Sequence, residues 1–366
     1  MDAHITKEQA LAILSQRFPI EFDSTTYIAQ ADARKQIEGH LRVCVNIDAN
    51  SESMATVSPS EPLLSEAAYF IMKKRTFDAP GAFQTVLNGF AISKGDRGEF
   101  LVMLFYTLAR DMTVGGCLTD GRPRNYRWFK LTSFLCKYLF RLKSSTIDKQ
   151  SLRDFQWLSE DFPSAQLHFN RIIKIHQYDL ESLLLLHSRG AGVLCANNQA
   201  AVDGIFAFAK DGGVLAPSNA GLILWQSKLD PRFTDIPLPA LFDAMDPYTL
   251  RILREGDAAI PVIKIVFALA ARKPALKVVG RPATDGYNAI VYEIWCAGIS
   301  PDILGPIAKE KAGVWDALLQ ASYGWKDLYN KASSEARDLR RSVNAGAASD
   351  SGHWSRWVER IQYSGF

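Results

Sequence analysis

Two apolar runs in the middle of the chain, VDGIFAFA from Val202 to Ala209 and LILWQSKL from Leu222 to Leu229, constrain its fold most. The segment between them holds two turn signals, Asp211-Gly212-Gly213 and Asn219-Ala220-Gly221. β-branched and aromatic content bounded by such turns predicts two strands. Side chains alternate across a strand, so Leu222, Leu224, Gln226 and Lys228 share one face, and Ile223, Trp225 and Ser227 take the other. Gln226 and Lys228 would then stand about 7 Å apart along the strand. If the strands pair, Asp203 near the start of the first can sit beside both at the end of the second. A Gln or Lys inside an apolar run costs free energy to bury unless it has partners. The plain structural account is that Lys228 pairs with Asp203 or Asp230 at a strand end.

The pattern Asp203, Gln226-x-Lys228 resembles the restriction-endonuclease-like, or PD-(D/E)XK, nuclease superfamily, in the branches where Gln replaces the second acidic residue. Val202 stands where the pattern has Pro. The resemblance implies an α/β fold with a mixed sheet core flanked by helices. It also implies metal-dependent hydrolysis of phosphodiester bonds in nucleic acid, with DNA favoured over RNA. Mg²⁺ or Mn²⁺ would be held by Asp203, the Gln226 amide oxygen and the Ser227 carbonyl, while Lys228 would orient water or offset developing charge. A neutral Gln226 presents one charge fewer to a metal, which favours a second reading, an inactive nuclease-fold binding or scaffold protein. The stretches KGDRGEF, LCANNQ, MDPYTL, PVIKIVFALA and IWCAG also resemble proteins of mushroom-forming fungi that carry no assigned activity.

Such nucleases place a helix before the strands, often with an acidic residue near the metal. Lys94 to Met112 predicts the strongest helix of the chain, apolar nearly all round from Phe100 to Leu108 as a central helix would be, and Glu99 lies in it. Asp96 with Glu99 three residues on also has the form of a capping box, which would engage the Glu99 carboxylate locally. A second helix, Asp179 to Arg189, ends at Gly190 and offers Glu181 instead.

Gly121 to Lys143 carries seven Lys or Arg and no acidic residue, with six aromatics interleaved. Cations neutralise phosphates and aromatic faces stack on bases, so Arg122, Arg124, Arg127 and Lys130 are candidate nucleic-acid contacts flanking the same site. The same residues also suit an amphipathic helix from Arg127 to Leu142 with a core-facing aromatic side. His168, His176 and His187 lack the spacing of a metal-binding helix and read as surface or packed residues. No P-loop, nucleophile elbow, H-E-x-x-H or kinase motif occurs.

With 366 residues, 48% of them hydrophobic, the chain can bury a large core. The division expected is a small helical region at 1–48, a Ser/Pro-rich linker at 49–62, a helical region with the basic-aromatic segment at 63–160, the α/β core at 161–300, and a C-terminal helical segment and tail at 301–366. Within these, helices are expected at Lys7–Phe18 (capped by Thr6), Ile28–Leu41, Leu63–Lys74, Pro80–Phe90, 144–166, Leu238–Glu255 (broken at Pro247) and Asp302–Gln320. Further strands are expected at Gly192–Ala196, Pro261–Ala270 and Ile290–Ala297, while His168–Gln177 alternates as a strand would but could also open a helix. Pro261–Ala270 and Ile290–Ala297 flank a basic loop with Arg272, Lys273, Lys277 and Arg281. Five scattered cysteines without a C-x-x-C pair indicate neither a disulfide framework nor a zinc site. No apolar segment at the N-terminus and no long apolar run predict neither signal peptide nor membrane span, hence an intracellular, cytoplasmic or nuclear, setting. The net charge of +3 neither demands nor excludes an anionic partner.

Overall fold

The computed structural model describes residues 6–20, 27–47, 54–57, 62–74, 77–88, 97–115, 128–142, 146–196, 199, 201–281 and 289–322. By its contacts the chain divides into two compact units, Met1–Leu319 and Gln320–Phe366. The described residues belong almost wholly to the first. The part of the expected C-terminal segment and tail beyond Ser322 lies outside the described residues, as do Asp96, Arg122, Arg124 and Arg127.

Helices lead: α1 (Lys7–Ser15), α2 (Tyr27–Glu38), α3 (Pro62–Met72), α4 (Ala79–Asn88) and α5 (Arg97–Gly115). Thr6 caps α1 in a full capping box with Gln9, as its position predicts. Two small strands, β1 (Val43–Ile47) and β2 (Met54–Val57), pair antiparallel between α2 and α3. The stretch read as a linker therefore contains a strand; a chain of β-branched residues on its partner outweighs the Ser/Pro composition around it.

A nine-stranded sheet forms the body of the protein. It is built from β3 (Phe129–Lys130), β4 (Gln166–Leu167), β5 (Arg171–Lys174), β6 (Ala191–Leu194), β7 (Gly204–Ala209), β8 (Ala220–Lys228), β9 (Val262–Ala268), β10 (Ala275–Arg281) and β11 (Val291–Ala297). The two apolar runs are β7 and β8, paired antiparallel with Gly204 opposite Trp225. β8, β9 and β11 run parallel, and β10 closes the edge antiparallel to β11. On its other side β7 pairs with β6 near its start and with β4 near its end. The basic loop expected between the last two strands is β10: Leu276 and Val278 are buried while Lys277 and Val279 point outward, the alternation of an edge strand with a protective Lys.

Helices cover both faces. On one lies α5, whose Phe100 to Tyr106 are all buried, with Tyr106 stacked among Phe206, Trp225 and Phe267. Before β4, a short α6 (Leu131–Ser133) runs into a π-helix (Phe134–Leu139), and α7 (Lys149–Asp161) follows. The amphipathic helix expected from Arg127 to Leu142 is thus a strand edge and a π-turn, wound so that Phe129, Phe134 and Leu135 all reach the core. α7 guards the sheet edge, where Ser151 Oγ accepts from the Val278 N–H. On the opposite face lie α8 (Leu180–Ser188), capped by Asp179, and the brief α9 (Pro239–Ala244). The helix expected over Leu238–Glu255 with a break at Pro247 is interrupted as expected, ending at Ala244, but it does not resume beyond the break, where the chain forms turns. The last helix among the described residues, α10 (Ala312–Ser322), begins ten residues later than the spacing suggested, since Pro306 precedes it within the expected span. The fold is therefore a mixed α/β sheet flanked by helices.

Candidate functional site

The carboxyl ends of the parallel strands β8, β9 and β11 lie together, and in such sheets ligands bind beyond these ends. Lys228 closes β8 there. Antiparallel pairing brings the start of β7 to the same end, so Asp203, one residue before β7, stands beside it: its N–H donates to the Trp225 carbonyl at 2.9 Å. Cys195, just past β6, donates its N–H to the Asp203 carbonyl at 2.8 Å. Cys195, Asp203 and Gln226 therefore form one row across three chain segments.

The Asp203 carboxylate is held by Ser227. Its Oδ2 accepts from the Ser227 N–H at 2.6 Å and from the Ser227 hydroxyl at 2.7 Å. With no strand residue left on β7 to face Ser227, the carboxylate takes the place of the missing carbonyl. Ser227 turns toward α5: a Cβ added at Gly98 would lie 3.3 Å from its Oγ and 2.9 Å from Leu229. Gln226 and Lys228 emerge on the other face, sharing it as alternation requires.

Gln226 is only 6% exposed, and its Oε1 has no hydrogen-bond partner among the described residues. A buried acceptor left unmet costs about 1–3 kcal/mol. Lys228 is half-buried and makes no hydrogen bond or ion pair among the described residues; its Nζ lies 5.7 Å from the centre of the Phe233 ring. Burial lowers its pKa, and the nearby Asp203 charge partly opposes that. The expected ion pair of Lys228 with Asp203 or Asp230 does not form; Asp230 is bridged by Arg232 at 2.7 Å. On the flank of Asp203, the Cys195 thiol donates to the Tyr178 hydroxyl at 3.6 Å, and burial raises the thiol pKa to about 12, with Asp203 and Glu99 adding to the rise.

Of the two helix acids, Glu99 is at this end of the sheet. It follows Gly98 at the Ser227 contact and its charge is felt at Cys195. Glu181 is turned elsewhere: it lines a pocket with Pro217 and Ser218, which precede β8. Lys130 is remote. It pairs with Gln166, which pairs with Ala209, about 20 Å along β7 from Asp203. Lys130 is exposed there but does not flank the Asp203 end as expected.

Sequence reasoning passed over two buried charges in the same sheet. Lys264 in β9 and Glu293 in β11 stand side by side on the face of Gln226, two residues deeper. Lys264 Nζ donates at 2.8 Å to the Phe242 carbonyl in the last turn of α9, a favourable place for a cation. A charge within the apolar runs VIKIVFA and VYEIWCA was the available signal, the same one that singled out Gln226. Among the histidines, His168 and His187 are buried around Trp128 and His176 is exposed, as packed or surface residues.

Among the described residues, no three His, Cys, Asp or Glu side chains are grouped to hold a metal ion. A cation at Asp203 would rely on amide and carbonyl oxygens. No helix among the described residues is long and apolar enough to cross a membrane. No family model, curated protein or solved structure matches the chain.

Proposed function

We propose that the chain is a restriction-endonuclease-like nuclease, hydrolysing phosphodiester bonds in nucleic acid, DNA favoured, with Mg²⁺ or Mn²⁺. The observation that carries this reading is the orphaned Oε1 of Gln226, buried in the same row as Asp203 at the carboxyl end of a parallel strand pair. The order of elements is consistent with it: α8, then β6, β7 and β8 as antiparallel neighbours, then α9 and the parallel β9.

The donors suit a hard cation, because Asp203, the Gln226 amide and the Ser227 carbonyl offer only oxygen, with Glu99 at the same end of the sheet. When bound, Mg²⁺ or Mn²⁺ would supply a water of lowered pKa and charge stabilisation at the phosphate. Ser227 positions Asp203 through two hydrogen bonds. Lys228, whose lowered pKa eases proton exchange, would orient the attacking water or neutralise the phosphate oxygens. Arg122, Arg124, Arg127 and Lys130 would contact phosphates further along the strand, so their loss should flatten the salt dependence of binding.

A second reading, an inactive nuclease-fold binding or scaffold protein, is favoured by the same Asp203 Oδ2: two hydrogen bonds from Ser227 give it a purely structural role. Cleavage of supercoiled plasmid and of single-stranded oligonucleotides with Mg²⁺ or Mn²⁺, against an Asp203→Ala control, separates the two. Cleavage that is lost in the control supports the nuclease; no cleavage by the wild-type protein with either metal supports the scaffold.

A further inference from the structure

We propose that the substrate engaged at Asp203 and Lys228 is single-stranded, with an unstacked base lying on Phe233; this rests on the nuclease reading. Phe233 sits in the segment that leaves β8, directly beyond Lys228, and is half-buried. The Lys228 ammonium lies over its ring, so a cation and an aromatic surface are presented together at the site. A duplex keeps its base faces stacked inside and cannot use such a ring, whereas an unpaired strand can place a base on it and a phosphate on the ammonium.

The platform is held in place on both sides. The Phe233 N–H donates to the Asp230 carbonyl at 3.0 Å, and the Thr234 carbonyl accepts from the buried Trp295 indole at 2.9 Å. Charge selects the same partner. Arg232 and Lys273 in this neighbourhood are matched by Asp230 and Asp235, at 2.7 and 2.9 Å, whereas Lys228 makes no ion pair among the described residues and has only the Asp203 charge nearby. Ile236, 63% exposed, and Leu238, 43% exposed, extend the apolar surface along the same segment. A polyanion with apolar, planar faces fits this combination.

The test uses the full chain with Ca²⁺ in place of Mg²⁺ to hold back cleavage. The probes are a deoxythymidine oligonucleotide carrying 2-aminopurine and the corresponding duplex. The single strand is expected to bind at least about ten-fold tighter than the duplex, with a 2-aminopurine fluorescence change that reports stacking. Phe233→Leu, which keeps apolar bulk but removes the ring face, should weaken single-strand binding between about 5-fold and 150-fold, matching about 1–3 kcal/mol per stacked base. Phe233→Trp should retain or strengthen it, which covers the case in which the Leu variant does not fold. Equal affinity for duplex, or no change of affinity and fluorescence in a folded Phe233→Leu protein, overturns the stacking proposal and leaves the nuclease reading standing if plasmid is cleaved. Binding of neither probe overturns both.

Discussion

Asp203 Oδ2 accepts two hydrogen bonds from Ser227, one from the backbone N–H at 2.6 Å and one from the hydroxyl at 2.7 Å. This pair ties the start of β7 to the end of β8 and aims the carboxylate at the sheet end that Glu99 and Lys228 also occupy. A group with both a structural and a chemical task can be tested for each separately. Asp203→Ala strands the Ser227 N–H and should cost about 1–3 kcal/mol in urea unfolding. Asp203→Asn keeps an acceptor oxygen for Ser227, so it should cost less while abolishing metal-dependent cleavage as fully as Ala does. Cleavage that survives in the folded Asn variant would remove Asp203 from the chemistry.

Gln226 offers the opposite test, because its buried oxygen has no partner to lose. Gln226→Leu should leave the metal-free protein as stable or more stable, since an unmet acceptor is exchanged for an apolar group of similar size. The same change should weaken Mn²⁺ binding in calorimetric titration, and Gln226→Glu should tighten it by adding a charge. Unaltered titrations in both variants would show that the amide is no ligand.

Lys228 should make stability depend on alkaline pH. Burial lowers its pKa in the folded state, so the unfolded chain holds the proton more tightly. Stability then rises as pH climbs through the folded pKa and levels off near 10.5, the ordinary lysine value. Lys228→Met should abolish that rise and stabilise the protein at neutral pH; chemical denaturation across the alkaline range measures both.

His187 should dominate part of the acid limb. Burial, and then the neighbouring His168, push its pKa from 6.5 down to about 3. Between these values the unfolded chain takes up a proton that the folded protein refuses. The stability contributed is complete above about 6.5 and falls as pH drops through the window, by about 1.4 kcal/mol per pH unit. His187→Phe, which can keep the ring packing on Trp128, should flatten this slope in urea titrations at several pH values.

The features legible in the sequence are those whose causes are local. Thr6 and Asp179 cap helices with their own third neighbours, and the β7 and β8 runs alternate toward a buried sheet, so these elements follow from spacing alone. Placing Gln226 and Lys228 on one face needed only strand parity. β10 was hidden because an edge strand carries the Lys and Arg that elsewhere mark a loop. The choice between Glu99 and Glu181, the distance of Lys130 from Asp203, and the Phe233 ring beneath Lys228 depend on which ends of distant strands meet. Sequence decided which residues could be polar within an apolar core. Only strand register, a long-range property set by packing against α5 on one face and α8 and α9 on the other, decided that Asp203 would meet Ser227 and that Gln226 would be left without a partner.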